Sequence, residues 1–221
     1  MQAITLIIGN MNYSSWSLRA WLPLAKSGVS FDTVLLPLDT EEFYRRIPEY
    51  SPTGCVPVLW HGEHCVWDSL AIAEYINEHF AGGSLWPEDA ASRALGRSMA
   101  AEMHSGFTGV RNAMPMNIRA RRVVPMTPDI ERDIARISAL WTNALDRHAG
   151  QGPWLLGQYS IADAMFAPVV FRFATYGVQL PEQLERYCAQ VMDDPDLAPW
   201  LAQAATETWI VEADEAGEDS A

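Results

Sequence analysis

The sequence predicts an α/β domain followed by an all-α domain. In the N-terminal part, short apolar runs alternate with stretches whose apolar residues have helical spacing. A break that contains two glycines and a serine follows at residues 81–88 and ends in proline and glutamate. Beyond this break, the ordered stretches all have helical spacing. We therefore expect an α/β domain at residues 1–80, a linker at 81–88 and a helical domain at 89–211.

The chain begins with a predicted buried strand at residues 4–8 and a predicted helix at residues 16–26. Between them lies the serine-rich stretch of residues 12–19. Serine at such a junction caps the helix, because its oxygen accepts a free N–H of the first turn. The same N–H groups and the helix dipole also stabilise a bound anion. Both roles are open for Ser14 and Ser15.

The next elements predict a parallel strand pair. Gly28 ends the first helix, and residues 31–36 form a second strand, so the order is that of a βαβ unit. Residues 40–50 form a short helix or an irregular segment, and turn-forming residues follow at 51–54.

The third strand is marked by Pro57, which belongs at the first position of a strand or in a special turn because it lacks an N–H. A tight turn at residues 61–63 predicts an antiparallel fourth strand at 64–67. Asp68 and Ser69 then precede an amphipathic helix that extends to about residue 80. The predicted order is β-α-β-α-β-β-α.

The sequence pattern of the second half predicts only helices, which are separated by prolines and glycines. Their expected ranges are residues 90–114, 127–149, 161–176, 181–192 and 197–205. Ser160 and Asp163 form a capping box at the start of the third of these, a structural role. The last segment, residues 212–221, contains five acidic residues and no basic one, which predicts a disordered acidic tail.

The charge and the cysteine count narrow the class of protein. The 221-residue chain carries a net charge of −13, which argues against nucleic acid and against anionic membrane surfaces as partners. Three cysteines without close pairing indicate no disulfide framework. No apolar run approaches the roughly 18 residues of a membrane span. We expect a cytoplasmic protein.

Four local motifs, in this order, resemble those of the cytosolic glutathione transferases. They are Ser-Ser-Trp-Ser-Leu-Arg at 14–19, Gly-Cys-Val-Pro-Val-Leu at 54–59, Asp-Ser at 68–69 and Ser-Ile-Ala-Asp at 160–163. The first is similar to the zeta-type serine motif, so the resemblance is to a bacterial, serine-type member. It extends over the chain to about residue 205. It implies a thioredoxin-like N-terminal domain and an all-helical C-terminal domain.

The resemblance also implies a glutathione site. Pro57 is expected in the cis form, with the backbone of Val56, next to Cys55, pairing with the cysteinyl part of the tripeptide as an added strand does. Asp68 is expected to hold the γ-glutamyl ammonium and Ser69 its carboxylate.

The glutathione sulfur is then expected at the serine-rich stretch. A free thiol has a pKa near 8.5, and a helix N-terminus with hydrogen-bond donors lowers it. Ser14 is the first choice for the catalytic donor, Ser15 the second and Ser17 the third. Serines also occupy both positions of a Cys-x-x-Cys pattern, which disfavours disulfide exchange.

The resemblance places the electrophile pocket on the first long helix of the second domain. The expected pocket residues are Trp16, Met103, His104, Phe107 and Arg111. For each of the helical ones, an ordinary core position is the alternative. Arg111 also belongs to a basic cluster with three further arginines, Arg119, Arg121 and Arg122, for which solvation or recognition of a carboxylate are both open. His61, His64 and Cys65 do not make a convincing metal site, and no metal is expected.

The resulting hypothesis is a homodimeric glutathione transferase, acting in detoxification, with glutathione as co-substrate and a small electrophile as its other substrate. One alternative is a glutathione-dependent isomerase of the maleylacetoacetate type. Trp16 counts against this alternative, because the zeta motif has cysteine there. The other alternative is a noncatalytic protein that binds glutathione or a protein partner.

Overall fold

The computed structural model describes residues 2–220 and contains a four-stranded mixed sheet in the N-terminal part. The strands are β1 (Ile4–Ile8), β2 (Asp32–Leu35), β3 (Val58–His61) and β4 (His64–Trp67), in the order β2-β1-β3-β4. Strand β1 is parallel to β2 and antiparallel to β3, and β3 and β4 form an antiparallel hairpin. The predicted βαβ unit and hairpin are confirmed.

Three helices complete this thioredoxin-like domain. They are α1 (Ser15–Lys26), α2 (Glu41–Arg46) and α3 (Ser69–His79). Leu6 and Ile8 of β1 belong to the main core, which also contains the apolar residues of α1 and α3. Ile7 points the other way and packs in a smaller cluster with Phe43 of α2. Alternate strand residues therefore place α1 and α3 on one face of the sheet and α2 on the other.

The second domain is helical, as predicted. Its helices are α4 (Ala90–Ser105), α5 (Thr108–Ala113), α6 (Pro128–Arg147), α7 (Ile161–Thr175), α8 (Glu182–Met192) and α9 (Ala198–Thr206). Helix α7 is buried along its length and packs against α4, α8 and α1 of the first domain. No helix within residues 2–220 combines the length and the apolar character needed to cross a membrane.

The start of α7 has the expected capping box. The carboxylate of Asp163 accepts hydrogen bonds from the N–H of Ser160 at 2.8 Å and from its hydroxyl at 2.9 Å. It also accepts from the N–H of Leu155 at 3.1 Å. Burial raises the pKa of Asp163 to about 6, although these hydrogen bonds favour the ionised form. The pair closes a buried helix end, which is the structural role expected of it.

The predicted helix at residues 90–114 is wrong in one respect, because it is broken in the middle. Helix α4 ends at Ser105, and Phe107 has a left-handed backbone with φ of 57° before α5 begins. Phe107 is buried and its ring packs near Phe166 of α7, at 6.4 Å between centroids. The helix break therefore coincides with the packing of the Phe107 side chain in the core.

Residues 212–220 of the acidic tail have a defined conformation, in contrast to the predicted disorder, and Ala221 lies outside the described residues. A 3-10 turn at Glu212–Asp214 leads to a short strand, β6 (Glu218–Asp219), antiparallel to β5 (Arg122–Val123). Glu215 accepts a hydrogen bond from the Tyr13 hydroxyl at 2.5 Å and forms an ion pair with Arg122. The tail is held because its acids meet a local group of basic and donor side chains, and the prediction that the second half contains no strand is also corrected.

Candidate active site

A cavity of about 700 Å³ lies where α1 and α3 begin, and the second domain contributes part of its wall. The lining residues from the first domain are Tyr13, Ser14, Ser15, Trp16, Leu38, Phe43, Thr53, Gly54, Cys55, Val56, Pro57, Trp67, Asp68 and Ser69. Those from the rest of the chain are His104, Arg111, Asn112, Pro115, Arg172 and Asp214. The predicted glutathione-binding residues therefore lie around one space.

The N-terminus of α1 is closed by a pair of serines. Ser14 is the N-cap, and its hydroxyl oxygen accepts the N–H of Ser17 at 3.4 Å. Its proton is donated to the Oγ of Ser17 at 2.7 Å, and that oxygen also accepts the N–H of Gly9 at 3.1 Å. Ser17 is fully buried and lies outside the cavity lining. The prediction of Ser17 as a catalytic candidate is therefore corrected. Ser17 instead links Ser14 to the residue after β1 through two hydrogen bonds.

Ser15 has a different partner, which the sequence did not reveal. Its hydroxyl oxygen accepts a hydrogen bond from Nη2 of Arg172, on α7, at 3.1 Å. The pKa of Arg172 is lowered to about 10, mainly by burial and also by repulsion from Arg111, while Asp214 opposes this shift. The guanidinium is thus charged near neutral pH. The signal for it was a lone charged residue within the apolar run of α7.

The segment before β3 leaves a peptide group free. The bond between Val56 and Pro57 is cis, as the family resemblance implied. The Oγ of Ser51 holds the loop, because it accepts the N–H of Cys55 at 3.2 Å and donates to the Cys55 carbonyl at 2.8 Å. Within the described chain, the N–H and the carbonyl of Val56 have no hydrogen-bond partner. Val56 can therefore pair with an extended ligand, and the Cys55 thiol lies exposed beside it.

The N-terminus of α3 offers a carboxylate and a free hydroxyl. Asp68 has φ of 74°, and its Oδ1 accepts the N–H of Leu70 at 2.9 Å. Its Oδ2 lies 2.7 Å from Nε2 of His104 on α4. Ser69 is 1% exposed, and its buried hydroxyl has no hydrogen-bond partner among residues 2–220. A buried hydroxyl without a partner costs about 1–3 kcal/mol, so Ser69 fits a polar ligand group.

A group of cationic and aromatic side chains surrounds Trp16, near the start of α1. Two guanidinium groups lie over the ring of Trp16, with the carbon of Arg19 at 4.4 Å and that of Arg111 at 4.7 Å from the ring centroid. The ring of His104 meets Trp16 edge-on at 5.4 Å. Arg19 is fully buried, and burial holds its pKa well below the usual value. Together with Arg172, these groups favour an anion at the start of α1.

Two predicted pocket residues lie elsewhere. Met103 is fully buried in the main core, and Phe107 packs on α7, so neither lines the cavity. Trp16, His104 and Arg111 do line it. The core alternative is therefore correct for Met103, on the buried face of α4, and for Phe107, at the helix break.

Asp214 is a further residue that the sequence did not place at the site. It comes from the acidic tail and lines the cavity near Arg172. Its pKa is raised to about 6, mainly by burial and also by the charges of Asp39 and Glu215, while Arg172 opposes this shift. The carboxylate is thus an anion at neutral pH, close to the cationic Arg172.

The predicted basic cluster divides into separate groups. Arg111 lines the cavity, whereas Arg122 pairs with Glu215, and Arg119 donates to the carbonyl of Glu207. Arg121 donates to a neighbouring carbonyl at 2.7 Å. Of the four arginines, only Arg111 is therefore placed to meet a ligand in the cavity.

The histidine and cysteine group at the β3–β4 hairpin has other contacts. Nδ1 of His61 lies 2.9 Å from the hydroxyl of Tyr75, and its ring packs against Phe80 at 5.0 Å. His64 is exposed. In the described part of the chain, residues 2–220, no three His, Cys, Asp or Glu side chains are grouped so that they could hold a metal ion.

Two family models match the chain. The model of the glutathione S-transferase N-terminal domain matches residues 13–79, and that of the glutathione S-transferase C-terminal domain matches residues 128–206. Together they cover about two thirds of the chain. They contain α1, α3 and α7, and hence Ser14, Ser15 and Arg172.

Individual proteins show the same similarity. Glutathione S-transferase L3 of Arabidopsis thaliana is 27% identical over 188 residues, which are 84% of this chain and 72% of that protein. Glutathione S-transferase L1 of the same plant is 24% identical over 186 residues, or 84% and 71%. The fold is similar to that of a glutathione transferase homologue from Burkholderia with bound glutathione, with a TM-score of 0.72, 24% identity and coverage of 93% and 100%.

Proposed function

The chain belongs to the glutathione S-transferase family, and we propose that it is a serine-type glutathione transferase that joins the thiolate of glutathione to a small electrophile. The observation that carries this proposal is the convergence of three ligand-binding groups on one cavity. They are the peptide group of Val56, the unpartnered hydroxyl of Ser69 and the serine N-terminus of α1. The Burkholderia homologue, whose structure contains glutathione, supports this choice of ligand.

The cysteinyl and γ-glutamyl parts of the tripeptide each have a partner of matching chemistry. The peptide group of Val56 pairs with the backbone around the cysteinyl residue, in the manner of an added strand. The hydroxyl of Ser69 and the N-terminus of α3 receive the γ-glutamyl carboxylate. Asp68 supplies a negative charge for the γ-glutamyl ammonium through Oδ2, which also lies beside His104, while Oδ1 caps α3.

The reactive step takes place at the N-terminus of α1. The helix dipole, a serine hydroxyl and the nearby guanidinium groups stabilise the thiolate over the thiol, so its proton is lost to solvent near neutral pH. The sulfur then attacks an electrophilic carbon and forms a carbon–sulfur bond. The electron pair of the bond that breaks leaves with the departing group, or passes to the neighbouring atom of an activated double bond.

Two measurements test the proposal together. Calorimetric titration should show binding of glutathione and of S-methylglutathione, which lacks the thiol proton. Absorbance of the bound thiolate should show a thiol pKa below the ordinary value near 8.5, and an activated aryl chloride should be consumed together with glutathione. Absence of glutathione binding would overturn the proposal. Binding with an ordinary thiol pKa and no conjugation would favour the noncatalytic alternative.

Because the first motif resembles the zeta-type motif, the assays also compare the transferase reaction with the isomerase reaction. An isomerase of the maleylacetoacetate type uses glutathione as a recycled nucleophile, so it converts substrate without net loss of glutathione. A transferase consumes one glutathione for each electrophile. Measurement of residual thiol after turnover therefore separates the two reactions, and Trp16 at the cysteine position of the zeta motif favours the transferase.

The proposal includes a homodimer in the cytoplasm of a bacterium, with a role in detoxification. The family resemblance supports the dimer, and the three free cysteines fit a reducing compartment. Sedimentation equilibrium tests the oligomeric state. A monomer that binds and conjugates glutathione would contradict the dimer and leave the activity standing.

A further inference from the structure

The hydroxyl protons at the N-terminus of α1 are not equally available to a ligand. We propose that Ser15 donates the hydrogen bond that stabilises the glutathione thiolate, and that Arg172 is the positioning residue that fixes the Ser15 hydroxyl for this task. The inference rests on the proposed function, because it concerns the sulfur of bound glutathione. It assigns the reactive contact to the second serine of the motif and gives the helical domain a part in the chemistry.

Ser14 has a single hydroxyl proton, and that proton is already used. It is donated to the Oγ of Ser17 at 2.7 Å, while the Ser14 oxygen accepts the N–H of Ser17 as the helix cap. Ser17 in turn accepts the N–H of Gly9 at the end of β1, so it is fixed from behind. Redirecting the Ser14 proton to a thiolate would break this buried link.

Ser15 has the opposite arrangement. Its oxygen accepts Nη2 of Arg172, and its own proton has no protein acceptor within residues 2–220. Ser15 lines the cavity at the first position of α1. A hydroxyl whose oxygen accepts from a cation is polarised, which makes it a stronger donor to an anion.

Arg172 is held too firmly to serve as a mobile ligand of its own. It is 5% exposed, and its Nη1 donates to the carbonyl of Arg111 at 3.1 Å and to that of Met114. These two carbonyls orient the planar guanidinium, so Nη2 is fixed on Ser15. The arginine therefore holds the Ser15 oxygen from the side of the second domain and leaves the proton for the cavity.

The first test compares Ser15→Ala with its matched control Ser14→Ala. At saturating glutathione, thiolate absorbance should show that Ser15→Ala raises the bound thiol pKa by about one unit, equivalent to a tenfold loss of thiolate at low pH. Ser14→Ala should shift it by less than half as much. Affinity for S-methylglutathione should stay within about twofold for Ser15→Ala, and Ser15→Thr, which keeps a hydroxyl, should restore most of the shift.

The outcomes of this comparison are distinct. A shift in Ser14→Ala equal to or larger than that in Ser15→Ala would overturn the inference while the proposed function stands. An unchanged thiol pKa in Ser15→Ala would do the same. A wild-type protein that fails to bind glutathione would overturn the inference and the proposed function together.

The second test asks whether Arg172 acts through Ser15. Arg172→Gln should raise the bound thiol pKa in the wild-type background and add less than about a third of that shift in the Ser15→Ala background. Arg119→Gln, which removes another cation bound to a backbone carbonyl, should leave the thiol pKa unchanged. An equal shift of Arg172→Gln in both backgrounds would show that Arg172 acts on the sulfur directly and would overturn its positioning role. If Arg172→Gln does not fold, Arg172→Lys decides by the same comparison.

Discussion

The N-termini of α1 and α3 both lie at the cavity and both carry serine, but their hydrogen bonding differs. At α1, the cap is buried, its serines hydrogen-bond to each other and to Arg172, and arginines surround it. At α3, the cap is the partly exposed Asp68, and Ser69 has a buried hydroxyl without a partner in the described chain. The first terminus is organised before any ligand arrives, and the second has a hydrogen bond still to make.

This difference assigns the two termini to different tasks. A preorganised donor set changes the pKa of a reacting group without rearrangement, which suits the glutathione sulfur. An unpartnered hydroxyl gains a full hydrogen bond on binding, which suits an anchoring carboxylate. Substitutions at α3 should therefore change affinity, and substitutions at α1 should change the thiol pKa or stability.

The largest effect is expected from Ser69→Ala. The hydroxyl would bond a charged carboxylate, and such a bond contributes about 1.5–3 kcal/mol, so the glutathione dissociation constant should rise about 10-fold to 100-fold. The bound thiol pKa should not change. Calorimetric titration measures the affinity, and Ser98→Ala on the exposed face of α4 is the matched control. An unchanged affinity would remove the contrast between the two termini.

Asp68→Asn should have a smaller effect on the same quantity. Asparagine keeps the side-chain oxygen that caps Leu70, so the free energy of unfolding should change by less than about 0.5 kcal/mol. The lost charge faces a half-exposed site shared with His104, so glutathione affinity should fall about fivefold, or about 1 kcal/mol. Affinity that falls only in proportion to stability would mean that Asp68 is a cap and nothing more.

Much of the fold and part of this contrast follow from local sequence pattern. The strand at Ile4–Ile8, Pro57 before β3 and the capping box of Ser160 are set by residues close in sequence, and all are found as predicted. The same holds for Asp68 and Ser69 at the start of α3. Local spacing is sufficient where the physical cause is itself local.

The remainder depends on contacts between distant residues. Ser15 and Arg172 are 157 positions apart, and the lone arginine in α7 indicated a buried partner without naming it. The tail was predicted to be disordered from its acidity, yet Arg122, Tyr13 and Asn117 bind Glu215 across the fold. The break at Phe107 depends on its contact with Phe166. Such pairings become visible only when the helices are packed.

Ser14→Ala tests the expectation that a change at the N-terminus of α1 alters stability more than glutathione affinity. The change removes the cap and the link to Ser17, so the free energy of unfolding should fall by about 1 kcal/mol, within the range of about 0.5–2 for such caps. Glutathione affinity should remain within about twofold. Denaturant unfolding measures the first quantity, and Thr127→Ala, which removes the N-cap of α6, provides a control of the same kind. A loss of affinity larger than the loss of stability would give Ser14 a binding role.

The smallest effect is expected at Asp214, where the tail places a negative charge in the cavity. Its pKa is raised to about 6, mainly by burial, so the carboxylate is ionised above that pH and opposes a thiolate nearby. Asp214→Asn removes this charge and should lower the bound thiol pKa by roughly a few tenths of a unit, giving about a twofold gain in kcat/KM near pH 7. Below about pH 5 the wild-type carboxyl is itself protonated, so the two profiles should converge.

Asp219→Asn removes a tail charge that lies on β6, outside the cavity lining, and should follow the wild-type profile. A constant ratio of the Asp214→Asn and wild-type activities between pH 5 and 8 would show that the carboxylate does not act on the sulfur through its charge, because only an ionising group produces a difference that disappears as the pH falls through its pKa.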